Sequence, residues 1–271
     1  MPQSSKVQPF DRDAGEGGGY VYTTNQRTSS RIALQRHFDL IREAVTFDGR
    51  RVLDIGCGDG FSTERFFDEG SPRRMVGLDP APSAIGVATG RRTDPGLHFV
   101  VGDGHRLPWP DDSFDATVAQ LVLHFLHDPV AGLAEMRRAT RPGGTVAACS
   151  WNFSEMLLLR TFWEAAHSVA PAAPGETLTV ASLEEFGELG RRAGLEDVDV
   201  APLDVTSRYE SFDELWSSFQ LGVGPAGQFC ASLEPEPRDA VRDEYRRRVG
   251  NPAGSFELSA RAWALRGRVP S

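Results

Sequence analysis

Residues 51–60 read RVLDIGCGDG, and this segment decides the fold of the chain. An apolar run around Asp54 is followed by glycines at positions 56, 58 and 60. Glycine has no Cβ, so the backbone of such a turn can take positive φ angles and a ligand can approach it closely. The pattern from Phe61 to Phe67 predicts the start of a helix. A strand, a glycine turn and a helix in this order predict a ligand site at the carboxyl end of a strand in an open α/β sheet.

The composition predicts an ordinary acidic protein of the cytoplasm. Its 271 residues include 38 acidic and 29 basic side chains, a formal net charge of −9 at pH 7. Because phosphate binding needs a basic surface, this charge argues against a nucleic-acid partner. We see no apolar signal segment and no run of roughly 18 apolar residues, so we expect no membrane span. Three scattered cysteines, Cys57, Cys149 and Cys230, suit a reducing compartment.

Short apolar strands alternate with helices over residues 51–151, which is typical of parallel βαβ units. The strands predicted after the first are Met75–Leu78, Leu97–Val101, Phe114–Leu123 and Thr145–Trp151. Helices are predicted after the second strand, up to about Gly90, and at Pro129–Thr140. These units predict a doubly wound α/β domain.

The segments on either side are less regular. Residues 1–30 are polar with a glycine patch, which predicts a flexible leader or lid, and Ile32–Val45 has helical spacing. Downstream we predict helices at Phe153–Val169, Leu183–Ala193, Phe212–Phe219 and Pro237–Val249, a loop at Gly222–Gly227, and strands at Val198–Val205 and Phe256–Arg266. We therefore expect one domain over residues 31–271, with cap insertions at about 153–178 and 211–250.

Three acidic residues follow or end neighbouring strands: Asp54, Asp79 and Asp103. In a parallel sheet all three lie along one edge. A carboxylate after the second strand can accept from both hydroxyls of a ribose, and Asp103 is placed to meet an adenine amino group. The alternative is that each aspartate only caps the turn or helix that follows it.

The spacing of the glycines excludes two nucleotide classes. A dinucleotide-binding turn reads G-x-G-x-x-G, but position 61 is Phe and the third glycine comes one residue early, at Gly60. A phosphate-binding loop needs Gly-Lys-Ser or Gly-Lys-Thr, and this turn has no lysine. Asp59 would also repel a pyrophosphate at the helix N-terminus. The turn therefore fits a nucleoside ligand without phosphates.

Residues 51–151 resemble the class I S-adenosylmethionine-dependent methyltransferases, in particular the small-molecule branch that includes quinone-biosynthesis and natural-product enzymes. The resemblance rests on five motifs in order: VLDIGCGDG, GLDPAPSAI, GDGHRLPWPDDSFD, AQLVLHFLHDP and RPGGTVAACSW. It implies a seven-stranded Rossmann-like sheet of order 3-2-1-4-5-7-6, with the last strand antiparallel and a helical cap. It also implies S-adenosyl-L-methionine as cofactor and S-adenosyl-L-homocysteine as product.

The resemblance assigns roles to residues of these motifs. Asp54, Gly56, Gly58 and Gly60 would line the methionine and sulfonium region, with Cys57 as a structural residue of the same turn. Asp79 would hold the ribose and Pro80 would pack on the adenine. Asp103 and Gly104 would read the adenine edge, and Gln120 and Leu121 would lie beside the reactive methyl group.

Methyl transfer is an in-line displacement from an activated sulfonium, so the protein has to align the acceptor and exclude water. A base is needed only when the acceptor must lose a proton. His124 follows the fourth strand, where the methyl group should emerge, and is the candidate base. The alternative is that this histidine orients substrate or packs on the sheet. His127 lies nearby, but without a third ligand we predict no metal site.

Aromatic residues outside the motifs are candidates for an acceptor pocket, although such stripes are also common in cores. They are Tyr20, Tyr22, Trp151, Phe153, Trp163, Trp216 and Phe219. If several converge, the acceptor is apolar or aromatic. We therefore expect methyl transfer to the oxygen, nitrogen or carbon of a small molecule in secondary or quinone-type metabolism. The alternative is a cofactor-binding protein of the same fold with other chemistry or a regulatory role. The sequence makes no prediction of the oligomeric state.

Overall fold

A computed structural model of the protein describes residues 47–91, 93–176, 180, 182–220, 222 and 224–271. Its strands are β1 (Arg51–Ile55), β2 (Arg74–Asp79), β3 (Leu97–Val101), β4 (Phe114–Gln120), β5 (Thr140–Asn152), β6 (Glu196–Tyr209) and β7 (Phe256–Arg268). Its helices are α1 (Phe61–Gly70), α2 (Pro82–Arg91), α3 (Pro129–Ala139), α4 (Leu157–Val169), α5 (Leu183–Arg192), α6 (Phe212–Gln220), α7 (Gly224–Ser232) and α8 (Pro235–Arg248).

The seven strands form one sheet with the order β3-β2-β1-β4-β5-β7-β6. Strands β1 to β5 pair in parallel, and β7 pairs antiparallel with both of its neighbours. The predicted seven-stranded sheet, its order and its antiparallel last strand are confirmed. Within the described ranges, no helix is both long and apolar enough to cross a membrane.

Apolar side chains cover both faces of the central strands. On one face, Leu53 and Val146 pack with Phe186 of α5. On the other face, Val52 packs with Phe66 of α1. Burial on both faces explains why these parallel strands read as apolar runs in the sequence.

The parallel register brings the carboxyl ends of the inner strands to one edge of the sheet. Ile55 of β1 pairs with Leu78 of β2 and with Ala119 of β4. The residues that come next in each strand or turn therefore lie side by side. This edge holds the glycine turn, Asp79 and Gln120.

Helices α4, α6, α7 and α8 contribute to a second apolar cluster, which we call the helical core. Phe162 of α4 stacks on Phe219 of α6 with ring centroids 4.2 Å apart. Tyr245 of α8 packs edge-on against both rings and donates its hydroxyl hydrogen to the carbonyl oxygen of Leu158 at 3.1 Å. These helices lie within the segments predicted as cap insertions, and the role of a cap stays a prediction.

Several local predictions were wrong, among them the start of β5, which is Thr140 rather than Thr145. Strand β4 ends at Gln120 rather than at Leu123, because Leu121 takes a left-handed conformation, with φ of 54°, and a single 3-10 turn follows. The loop predicted at Gly222–Gly227 instead contains the start of α7. A Cβ at Gly227 would lie 2.9 Å from the backbone carbon of Gly222, so this glycine serves close packing. The predicted leader (1–30) and the helix predicted at 32–45 lie outside the described residues.

Candidate functional site

The turn after β1 is tied to the end of β2 through backbone hydrogen bonds. The N–H groups of Gly56 and Cys57 both donate to the carbonyl oxygen of Leu78, at 2.7 and 3.1 Å, and Gly60 donates to Cys57 at 3.0 Å. The three glycines have φ values of 71°, 54° and 80°. These are left-handed conformations that favour glycine, as the sequence pattern predicts.

The surroundings of the three glycines differ. A Cβ at Gly56 would collide with the side chain of Val122, and one at Gly60 would lie 2.8 Å from Ala88 and from the ring of Phe99. A Cβ at Gly58 would meet nothing within 4 Å. Gly56 and Gly60 therefore serve close packing of the turn, and Gly58 faces open space in which a ligand can lie.

Asp79, at the end of β2, binds the backbone of two different turns. Its Oδ2 accepts a 2.9 Å hydrogen bond from the N–H of Gly58, and its Oδ1 accepts one of the same length from Ala81. Burial raises the pKa of this carboxyl, and the two N–H donors oppose the rise. The capping role is thus present, and each oxygen keeps a second lone pair for a further donor such as a hydroxyl. Pro80 is exposed beside it.

Asp54 is a buried carboxyl with an unsatisfied oxygen. Its side chain lies on β1 and is 1% exposed. Oδ2 accepts a 2.7 Å hydrogen bond from the hydroxyl of Thr63 on α1, whereas Oδ1 has no partner among the described residues. Burial raises the pKa of Asp54 to about 7; the bond from Thr63 lowers it and the charge of Asp79 raises it further. An unpaired buried oxygen of this kind is free to bind a donor group of a ligand.

Gln120, the last residue of β4, carries a second unsatisfied group. It is 7% exposed, and neither its amide nitrogen nor its amide oxygen has a partner in the part of the chain that is described. Val118 pairs with Asp54 across the β1–β4 ladder, so Gln120, two residues later, points to the same face as Asp54. Leu121 follows, and its N–H donates to the carbonyl oxygen of Cys149 at 3.0 Å.

Asp103 and Gly104 follow β3 on an exposed loop. The Asp103 side chain is 57% exposed, and its Oδ1 accepts from the N–H of His105 at 2.9 Å and lies 3.1 Å from Nδ1 of the same residue. The bond from the His105 backbone is the main reason why the pKa of Asp103 is lowered. The ring of His105 also packs on that of His127, with centroids 3.8 Å apart. Gly104, the next residue, is buried.

His124 lies in the 3-10 turn after β4, between aromatic rings and a serine. Its Nδ1 is 3.1 Å from the hydroxyl oxygen of Ser150, which is near the end of β5. Its ring centroid lies 4.1 Å from that of Phe125 and 5.1 Å from that of Phe153, the latter edge-on. Desolvation lowers the pKa of His124 to about 4, so the ring is neutral near pH 7. The predicted base role remains a prediction.

The aromatic residues predicted for the acceptor pocket are distributed over two places. Phe153 contacts His124, and the half-buried Trp151 packs against the cluster of Val205 and Ala260. Three others lie in the helical core with little exposure: Trp163 at 6%, Trp216 at 4% and Phe219 at 2%. This packing is what a structural role requires. Tyr20 and Tyr22 lie outside the described residues.

Cys57 has the surroundings of an unreactive thiol. Its side chain is 4% exposed, within the glycine turn. Burial raises its pKa, and the negative charges of Asp54 and Asp79 raise it further. A thiol of this kind stays protonated, and the structural role expected from the sequence stays a prediction.

Sequence reasoning missed two side chains that position predicted residues. Thr63 binds Asp54, and a polar residue on the buried face of a helix directly after the glycine turn was the available signal. Ser150 binds His124 from 26 residues away. The only available signal for it was its place near the end of a buried strand, next to Cys149.

Comparisons with known proteins agree with this geometry. Residues 53–148 match the family model described as methyltransferase domain. A demethylmenaquinone methyltransferase of Renibacterium salmoninarum is 36% identical over 125 residues, which cover 46% of this chain and 51% of that protein. A malonyl-[acyl-carrier protein] O-methyltransferase of Halorhodospira halophila is 33% identical over 239 residues, covering 83% of this chain and 78% of that protein. The match to the demethylmenaquinone methyltransferase thus spans only about half of that protein's length.

Solved structures support the fold. Phosphoethanolamine N-methyltransferase 2 of Haemonchus contortus, solved with phosphomonomethylethanolamine and S-adenosylhomocysteine, superposes with a TM-score of 0.57. The two chains are 17% identical, and the match covers 88% of this chain and 53% of that one. The sheet order, the glycine turn and the relative that matches over most of both chains lead to one assignment. The chain belongs to the class I S-adenosylmethionine-dependent methyltransferases of the small-molecule branch.

Proposed function

We propose that this protein transfers the methyl group of S-adenosyl-L-methionine to a small-molecule acceptor, at oxygen, nitrogen or carbon. The observation that carries the proposal is the pair of unsatisfied buried groups at the carboxyl edge of the sheet, Oδ1 of Asp54 and the amide of Gln120. Buried polar groups are ordinarily hydrogen-bonded, so we expect a polar ligand to form hydrogen bonds with these two. Asp54 lies on β1, which leads into the turn that contains Gly58, and Gln120 ends the neighbouring strand β4.

The residues at this edge fit the cofactor in chemical type. Asp54 and the turn built by Gly56, Gly58 and Gly60 would hold the methionine part, with Gly58 facing the ligand. A carboxylate suits the ammonium group of that part. Asp79 would accept from the ribose hydroxyls with its remaining lone pairs, and Pro80 would pack on the adenine. Asp103 and Gly104 would read the adenine edge, and Gln120 and Leu121 would lie beside the methyl group. When bound, the cofactor supplies a methyl group that is already activated by its sulfonium.

The protein's own task is to orient the acceptor and to exclude water. The rings of Trp151 and Phe153 lie near the ends of β4 and β5, which supports an acceptor with an apolar or aromatic body. We also propose a place in secondary or quinone-type metabolism; the name of one relative, a demethylmenaquinone methyltransferase, supports the quinone-type alternative. We also propose that the helical core caps the acceptor and that residues 1–30 act as a lid over a single domain spanning residues 31–271.

Two measurements test the function. Calorimetry should show that the protein binds S-adenosylmethionine and S-adenosylhomocysteine. Incubation with methyl-labelled S-adenosylmethionine and a panel of quinols, phenols, amines, prenyl compounds and carboxylic acids should then yield a labelled product. Binding of the cofactor without transfer to any class would favour the rival, a cofactor-binding protein with other chemistry or a regulatory role. Absence of binding would overturn the proposal altogether.

A further inference from the structure

The bond between Ser150 and His124 determines which ring nitrogen carries the proton. Ser150 is 6% exposed, and Nδ1 of His124 is the partner of its hydroxyl within the described residues. A buried hydroxyl needs an acceptor for its hydrogen, so the Ser150 O–H donates to Nδ1. A neutral imidazole has one N–H, which is then on Nε2. In the described structure, Nε2 has no protein partner.

The surroundings of His124 do not support a positive charge. Its ring lies against Phe125 and Phe153, and its polar contact is the neutral hydroxyl of Ser150. Loss of solvation is the cause that lowers its pKa, and no carboxylate or cation contributes. A histidine that acts as a general base usually has a carboxylate at Nδ1 to stabilise the imidazolium. Within the described residues, His124 has a hydroxyl there instead.

We propose that His124, held by Ser150, presents its Nε2–H as a neutral hydrogen-bond donor to an acceptor oxygen that is already ionised, namely a carboxylate. Ser150 is then a positioning residue, and the substrate is a carboxylic acid that is methylated to its ester. This inference rests on the proposed function and narrows it.

Methyl transfer to a carboxylate needs no general base. A lone pair of the carboxylate oxygen forms the new bond to the methyl carbon, and the bond between that carbon and the sulfonium breaks, leaving its electron pair on sulfur. The negative carboxylate and the positive sulfonium both become neutral, and no proton is transferred. A phenol or an ammonium ion would first have to lose a proton, which a neutral ring that resists protonation does not accept readily.

Nitrogen-15 NMR tests the tautomer directly, without cofactor or acceptor. The chain has six histidines, so selective histidine labelling gives a readable spectrum, and His124→Gln identifies the signal. We expect the Nε2–H tautomer with no titration between about pH 5 and about pH 8. Ser150→Ala should mix the tautomers and Ser150→Thr should restore the single form. Ser218→Ala, which removes a buried hydroxyl in the helical core, should leave the signal unchanged. An Nδ1–H tautomer, or titration within this range, would overturn the proposal.

Transfer assays test the acceptor class. Glutamine can donate through its amide at the position of Nε2 but cannot act as a base. With labelled S-adenosylmethionine and a panel of benzoate, a fatty acid and a malonyl thioester, we expect His124→Gln to lose less activity than His124→Phe. His124→Phe should lose about 10-fold or more, the range for a hydrogen bond to a charged group. Equal loss in both variants, or transfer to phenols or amines but not to carboxylates, contradicts this inference while leaving methyl transfer intact.

Discussion

The backbone N–H of Gly58 donates a 2.9 Å hydrogen bond to Oδ2 of Asp79, so the end of β2 holds the turn that follows β1. One carboxylate therefore shapes the turn and also faces the space in which we propose the ribose lies. Loss of this side chain will change both, and an experiment on Asp79 has to separate the two effects.

Asp79→Ala should weaken binding of S-adenosylhomocysteine about 10-fold or more, because it removes charged hydrogen-bond acceptors. Calorimetry with the 2′-deoxy analogue separates the roles. If Asp79 binds the ribose, the analogue binds the wild-type protein more weakly than the parent ligand, and this difference shrinks in the variant. A difference that stays the same would mean that Asp79 acts only through the turn.

Gly58→Ala should weaken cofactor binding while the fold persists. The added Cβ meets no protein atom within 4 Å, but it enters the space that we assign to the ligand. The left-handed φ of 54° costs about 1–2 kcal/mol of stability for a residue with a Cβ.

Gly49→Ala is the matched control for this change. Gly49 has φ of 69° and equally open surroundings, and it lies before β1. Urea unfolding should show a similar loss of stability in both variants, and calorimetry should show weakened binding only for Gly58→Ala. Equal affinities in the two variants would contradict the place assigned to the cofactor.

In the absence of cofactor, Asp54→Asn should increase the free energy of unfolding at about pH 8. The folded protein holds the Asp54 proton more tightly than the unfolded chain, since the pKa rises from 3.8 to about 7. The contribution of Asp54 to the free energy of unfolding is therefore greatest below about pH 4. It falls by at most about 4 kcal/mol as the pH rises through about 7. Urea unfolding of both proteins across this range should show curves that meet at low pH and separate at high pH.

The same carboxyl should make cofactor affinity depend on pH. The ammonium group of the methionine part favours the ionised form of Asp54, so binding should release protons near pH 7 and weaken as the pH falls below about 7. Calorimetry in buffers of different ionisation enthalpy measures the release. In Asp54→Asn the affinity should be weaker and this proton release should disappear. Proton release that persists in the variant would assign it to another group.

Phe219→Ala should destabilise the helical core by about 3–5 kcal/mol, because it leaves a cavity beside Phe162. Phe125→Ala is the control, since Phe125 is 56% exposed and its loss should change stability by less than about 1 kcal/mol. Urea unfolding of both variants measures this. A small effect at Phe219 would instead support the acceptor contact predicted from the sequence.

Much of the sheet edge that we propose binds the cofactor could be predicted from the sequence, because local sequence features determine it. The glycines at 56, 58 and 60 are required by left-handed backbone angles, and buried parallel strands read as apolar runs. The aspartates could be placed at one edge because parallel strands bring their carboxyl ends together. Gln120 and Leu121 were placed by family resemblance. The end of β4 was predicted three residues too late, because Leu121 adopts a left-handed conformation that is not expected of a leucine.

The sequence by itself thus determined the sheet, its order by resemblance, and the class of nucleoside ligand. Only the tertiary structure decided that Asp54 and Gln120 have unpaired polar atoms, that Trp216 and Phe219 lie inside a second core, and that Ser150 meets His124. These facts depend on packing between residues far apart in the chain, which no local pattern encodes. Whether a histidine is a base or a donor is set by such a contact, because the partner of one ring nitrogen fixes the proton on the other.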